Sequence, residues 1–233
     1  MPSVKELGLA QANRLSVAIN LGNPVLATTE ADGQPGGITV ALARKIAAAL
    51  EVELTLFPYS TAGKVVDDAA EKRWDLAFLA IDPKRAEVLS FTEPYMTIEG
   101  TLMVKAASEW QSVGQMDKPG VVINVGKGAA YDLYLSRTLT QATLHRLPSS
   151  QHAIAAFVAG EGDMAAGVRQ PLELVARQNP DFRVLRDSFT RINQAICVPV
   201  EKTALYAAVC SLLAQWQQDG SVAAIIAANT PQD

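Results

Sequence analysis

Short apolar runs alternate with amphipathic segments along most of this chain, and that order constrains the fold more than any other feature. Residues 15–19 read as a strand that runs into a Gly/Pro/Asn turn at 20–24. A second loop, 33–37, precedes apolar residues at 38, 42, 46 and 50, with Arg44 and Lys45 on the far side. That spacing predicts a helix packed on a sheet. Residues 52–57 alternate as a strand does, and 61–73 reads as a helix capped by Ser60 or Thr61. The apolar run 75–81 reads as a buried strand. Strand and helix in strict succession imply a parallel sheet with crossover helices.

Residues 99–106 read as a further strand, and a second α/β set follows. Its strands are expected at 121–125, 143–146 and 163–168, and its helices at 129–139, 150–158 and 171–178. A last strand, 193–200, leads to closing helices at 203–219 and 221–228. The halves echo each other. Lys72-Arg73-Trp74-Asp75 leads into an apolar strand, and Gly160-Glu161-Gly162-Asp163 does the same later.

The chain has 233 residues, 49% of them hydrophobic, which suits one large domain or two lobes. A net charge of −4 argues against a nucleic-acid partner. No run of about 18 apolar residues predicts a membrane span. Cys197 and Cys210 match no metal or redox spacing, and His145 and His152 form no Cys/His set, so no metal site is expected. There is no nucleophile elbow and no dinucleotide fingerprint, so neither a catalytic residue nor a cofactor is expected. Residues 1–14 lack a charged n-region, an apolar h-region and a cleavage site.

After the strand 75–81 comes Asp82-Pro83-Lys84-Arg85, and then Phe91-Thr92-Glu93-Pro94-Tyr95. Arg85 therefore sits just past the carboxyl end of a sheet strand, where open α/β sheets bind ligands. Its guanidinium is a bidentate partner for a carboxylate. This layout resembles solute-binding family 3, the type II periplasmic binding proteins of ABC importers for amino acids and related polar solutes. The resemblance implies an α/β fold of two lobes joined by two hinge crossings. Lobe 1 would be 1–100 plus 194–233, and lobe 2 would be 101–193. It further implies an extracytoplasmic, periplasmic receptor that captures a small carboxylated ligand, an amino acid or organic acid, in an interlobe cleft. The receptor would be a monomer, not an enzyme, and would deliver its solute to an ABC permease. The N-terminal segment keeps a cytoplasmic location open.

By the same resemblance Arg85 holds the ligand carboxylate, and its replacement is expected to leave folding nearly unaffected. Ile81 and Asp82 lie beside it, and Asn23, Tyr59, Ser60 and Thr61 are on loops facing the ligand. The second lobe offers Lys127, Gly128, Ala129, Ala130 and Tyr131, where a glycine turn opens a helix and supplies backbone N–H groups and a helix dipole. One departure stands out. Amino-acid-binding members place an acidic residue for the ligand ammonium where this chain has Val168, with Arg169 beside it. Arg85 and Arg169 together would fit a dicarboxylate or another anionic small molecule. Two alternatives use the same scaffold. One is a dehydratase resembling cyclohexadienyl dehydratase, whose catalytic Glu would fall near Pro171, two residues from Glu173. The other is a ligand-sensing domain without transport.

Overall fold

The computed structural model describes residues 3–230. The ends of the expected first lobe, 1–2 and 231–233, lie outside the described residues. In chain order the elements are β1 (Arg14–Asn20), β2 (Thr28–Thr29), β3 (Pro35–Gly36), α1 (Ile38–Ala49), β4 (Glu53–Tyr59), α2 (Ala62–Asp67), β5 (Leu76–Ala80) and β6 (Leu89–Lys105). Next come β7 (Val122–Gly126), α3 (Ala130–Thr138), β8 (Thr143–Leu147), α4 (Ser150–Val158), β9 (Met164–Val168), α5 (Arg169–Gln178) and β10 (Phe182–Val184). The chain closes with β11 (Thr190–Pro199), α6 (Thr203–Gln218) and α7 (Ser221–Asn229).

The fold is mixed α/β and forms two compact units, Met1–Met96 with Asn193–Asp233, and Thr97–Ile192. The chain passes from the first to the second within β6 and returns within β11.

In the first unit β1 pairs in parallel with β4 on one side and β5 on the other, and β11 pairs antiparallel with β5. The strands are apolar on both faces because helices cover both. Leu15, Val17 and Ile19 of β1 join Leu76 and Phe78 of β5 in a core with Ile38, Leu42 and Ile46 of α1 and with α6. Ala18, Ala77 and Leu79 point to the opposite face, where Val65, Trp74 and Cys197 meet them. The period of two assigns each residue its side, and burial on both sides explains the unbroken apolar run at β5.

The second unit repeats this plan. β7 pairs in parallel with β8 and β9, and β6 pairs antiparallel with β9. Its described core joins Met103, Phe157, Ala165 and Leu172. The echo at Asp75 and Asp163 is structural. Asp75 N–H donates to Ser16 O (2.7 Å), and the Asp75 carboxylate accepts from Ser16 N–H (2.9 Å). Asp163 makes the same pair of bonds with Val122, both at 2.8 Å. An Asp at the entry to the third strand thus pins it to the first strand in each unit.

Two expectations need correction. The helix expected over 61–73 is only Ala62–Asp67. Lys72 turns through the left-handed region (φ 54°), and the indole Trp74 Nε1–H then donates to Val65 O (3.0 Å), which folds 68–74 back across the short helix. The strand expected over 99–106 begins ten residues earlier, at Leu89. Pro94 is tolerated within it, and the Thr92 hydroxyl accepts from Ile196 N–H (3.1 Å). Among the described residues no helix is long and apolar enough to cross a membrane.

Candidate functional site

In the first unit the parallel strands β4, β1 and β5 lie side by side, so their carboxyl ends open onto one edge. That edge carries Asn20–Asn23 after β1, Tyr59–Thr61 after β4 and Ile81–Arg85 after β5. The topology therefore brings together all seven first-unit candidates. The loops touch: a Cβ added at Gly22 would lie 2.9 Å from Ser60 O and 3.3 Å from Thr61 Cα. Only glycine permits that approach.

Local hydrogen bonds shape each loop. The Asn20 and Asn23 side chains accept from Gly22 N–H (2.9 Å) and Val25 N–H (3.2 Å), which folds the β1 loop into successive Asx turns. Thr61 caps α2 by accepting from Lys64 N–H (3.4 Å), and Ser60 Oγ accepts from Lys64 Nζ (3.0 Å). Tyr59 donates its hydroxyl to Asp68 (2.9 Å). Partial burial and that carboxylate push its phenol up to about 12. Tyr59 is thus held as a neutral donor.

Arg85 is 3% exposed, and its Nη1–H donates to Ala80 O (3.1 Å) at the end of β5. Burial pulls its pKa below the usual guanidinium value, and the nearby Asp82 charge acts against that pull. Asp82 is itself buried and accepts from Lys84 N–H (2.9 Å), which sets the turn that delivers Arg85. The expectation that Arg85 is dispensable for folding does not hold. Removing a buried guanidinium leaves a gap and takes a donor from Ala80 O. Ile81 is the apolar counterpart, 41% exposed beside these groups. Gln194 was not singled out from the sequence. It is buried on β11 and in register with Ala80, so it reaches the same edge. Only the antiparallel pairing of β11 with β5, which sequence spacing does not encode, brings it there.

In the second unit the equivalent edge carries Gly126–Tyr131 after β7 and Val168–Arg169 after β9. Gly126 is needed because an added Cβ would meet Ser150 N at 2.6 Å. Gly128 adopts φ +74°. Three of the backbone donors expected to be available for an anion are engaged inside the unit. Lys127 N–H donates to Leu147 O (2.8 Å), and Ala129 N–H to Gly126 O (3.1 Å). Gly128 N–H donates to the Asp132 carboxylate (2.8 Å), which Arg146 also holds (3.0 Å). The helix start thus carries its own carboxylate, and this favourable pairing with the dipole is internal. Tyr131 is 3% exposed, gives its hydroxyl to Ser150 Oγ (2.7 Å) and accepts from Gly126 N–H (3.4 Å). It fastens the loop rather than facing a solute. Lys127 is exposed; Ala129 and Ala130 are half-buried at the start of α3.

Arg169 differs most from its expected role. Its Nε–H donates to Glu99 (2.6 Å) and its Nη1–H to Leu185 O (3.0 Å). Nη2 donates to Arg186 O (3.0 Å), Asp187 O (3.2 Å) and Ser188 Oγ (3.1 Å). Nη2 divides its two N–H groups among these three acceptors, and Nη1 also lies 3.6 Å from Glu173. Arg169 is a crosslink binding β6, α5 and the 185–188 segment. Its described hydrogen bonds all go to the protein's own groups.

Two α/β units of this topology, with chain crossings inside strands, define the type II periplasmic-binding-protein class. The chain belongs to the bacterial extracellular solute-binding proteins, family 3, whose family model matches residues 15–230. The L-cystine-binding protein TcyJ of Escherichia coli (strain K12) is 26% identical over 198 residues, covering 83% of this chain and 74% of that protein. The amino acid ABC transporter substrate-binding protein AbpA from Streptococcus pneumoniae, solved with L-arginine, superposes with a TM-score of 0.79 at 24% identity, covering 93% of this chain and 94% of that one. An ancestral amino acid-binding protein, AncCDT-1, described as a precursor of cyclohexadienyl dehydratase, does so with a TM-score of 0.79 at 21% identity, covering 94% and 96%. At these identities the two structures speak for the fold.

Proposed function

We propose that this protein is an extracytoplasmic receptor that binds a small carboxylated solute, an amino acid or organic acid, and hands it to an ABC permease. Arg85 holds the carboxylate, with Asn23, Tyr59, Ser60, Thr61, Ile81 and Asp82 around it on the first-unit strand ends. On the second unit the candidate contacts are Lys127, Gly128, Ala129 and Ala130 at the start of α3. The protein acts as a monomer and performs no chemistry on the solute.

The observation that carries this reading is a buried guanidinium at the carboxyl end of β5 in a chain of this family. A cation held there at a cost in desolvation gains most from an incoming anion. The dehydratase reading has weaker support. Glu173, the acid nearest the expected catalytic position, faces Arg169 at 3.6 Å.

A thermal-shift screen of amino acids and organic acids tests the proposal. A solute at 100 times its dissociation constant adds about 2.7 kcal/mol to stability. Failure of every carboxylate to raise the melting temperature would refute it. Conversion of a substrate, seen by mass spectrometry, would favour the enzyme instead.

A further inference from the structure

A solute that carries both a carboxylate and an ammonium needs an acidic partner as well as a cationic one, because an unpaired buried ammonium is costly. The acids on the two strand-end edges are each engaged by the protein's own groups. Glu99 accepts from Arg169 at 2.6 Å. The Arg169 bond, and then one from Ser188, holds the Glu99 carboxyl below its ordinary value. Arg169 also faces Glu173 at 3.6 Å. Asp82 sits in its turn on Lys84 N–H and shares its surroundings with the Arg85 charge. Asp132 is 3% exposed and accepts from Gly128 N–H, Arg146 and Ser136.

An ammonium brought to Glu99, Asp82 or Asp132 shares the carboxylate with a resident donor. Beside Glu99 or Asp132 the attraction of the carboxylate is opposed by a guanidinium 2.6 or 3.0 Å from it. Lys84 and Arg85, on the same loop as Asp82, outnumber it in charge. The exposed neighbour of Arg85 is the apolar Ile81.

We infer that the solute is an organic acid without an ammonium group, with an apolar or neutral polar body. The inference rests on the proposed receptor function and narrows its ligand class.

The test uses matched pairs that differ only in the α-ammonium: L-leucine with 4-methylpentanoate, L-glutamate with glutarate, and L-phenylalanine with 3-phenylpropanoate. Each is screened by thermal shift against the full chain, and positives are titrated by calorimetry. The expected result is at least one des-amino acid that binds tenfold or more tightly than its amino partner, with no amino acid preferred. An amino acid that binds within tenfold of its partner, or better, overturns the inference and leaves the carboxylate receptor standing. Absence of binding by every member of the panel, extended to the twenty amino acids and common organic acids, overturns both.

Discussion

The buried ion pair between Asp75 and Lys202 sets up a quantitative contrast between the two units. Asp75 is 0% exposed. Its Oδ1 accepts from Ala10 N–H and Lys202 Nζ, both at 2.8 Å, and its Oδ2 accepts from Ser16 N–H at 2.9 Å. Lys202 has one further described partner, Gly8 O at 2.7 Å. Asp75→Asn keeps the shape, but it turns an NH2 group toward a donor and leaves a buried ammonium without its counter-charge. Breaking a buried pair from one side costs about 3–5 kcal/mol. At about 2–4 °C per kcal/mol, the melting temperature should fall by about 6–20 °C. Asp163 provides the control. Its carboxylate makes the same strand contact, to Val122 N–H, at an exposed position and with no lysine. Asp163→Asn should lose only that bond, about 0.5–1.5 kcal/mol. Adding Lys202→Met to Asp75→Asn should recover stability, because no charge is then left unpaired. Urea unfolding of all four chains decides the matter. If Asp75→Asn and Asp163→Asn agree within about 1 kcal/mol, the pair carries no special weight and the reasoning fails.

Gly126→Ala should destabilise by about 1–3 kcal/mol, because its Cβ would lie 2.6 Å from Ser150 N, a backbone atom that cannot swing away; the urea midpoint measures this. Asp117 accepts from the N–H groups of Thr140, Gln141 and Ala142, and these bonds hold its carboxyl down at about 2, against an ordinary 3.8. A lowered folded-state value means that its contribution is complete above about pH 4 and disappears as pH falls through about 2. Acid titration followed by circular dichroism should therefore be less steep between those values for Asp117→Asn than for wild type, and identical curves would contradict this.

The fold was legible in the sequence because each signal was local. The apolar run at β5, the 38, 42, 46, 50 stripe of α1 and the paired Asp75 and Asp163 all read correctly from neighbours along the chain. The position of Arg85 just past β5 was legible for the same reason, since the strand, the Pro turn and the Arg are contiguous. Arg169 was not. Its partners are Glu99, 70 residues away, and a segment 16–19 residues downstream, which no spacing rule brings together. The Gly128 loop misled in a related way. Its glycine and helix start read as an open anion site, but Asp132, four residues on, takes the Gly128 N–H. Tyr131 looked equally able to line a pocket or to pack, and only Ser150, 19 residues on, settles it as a fastener.

The central claim is that Arg85 holds the carboxylate of a small solute. It is tested most directly by isothermal titration of wild type and Arg85→Gln with the carboxylate that gives the largest thermal shift. Because Arg85 is buried, the variant is first shown to be folded by its circular dichroism and cooperative melting. Loss of a charge-assisted pair, about 1.5–3 kcal/mol, predicts an affinity at least about tenfold weaker. A folded variant that binds the solute as tightly as wild type would contradict the account.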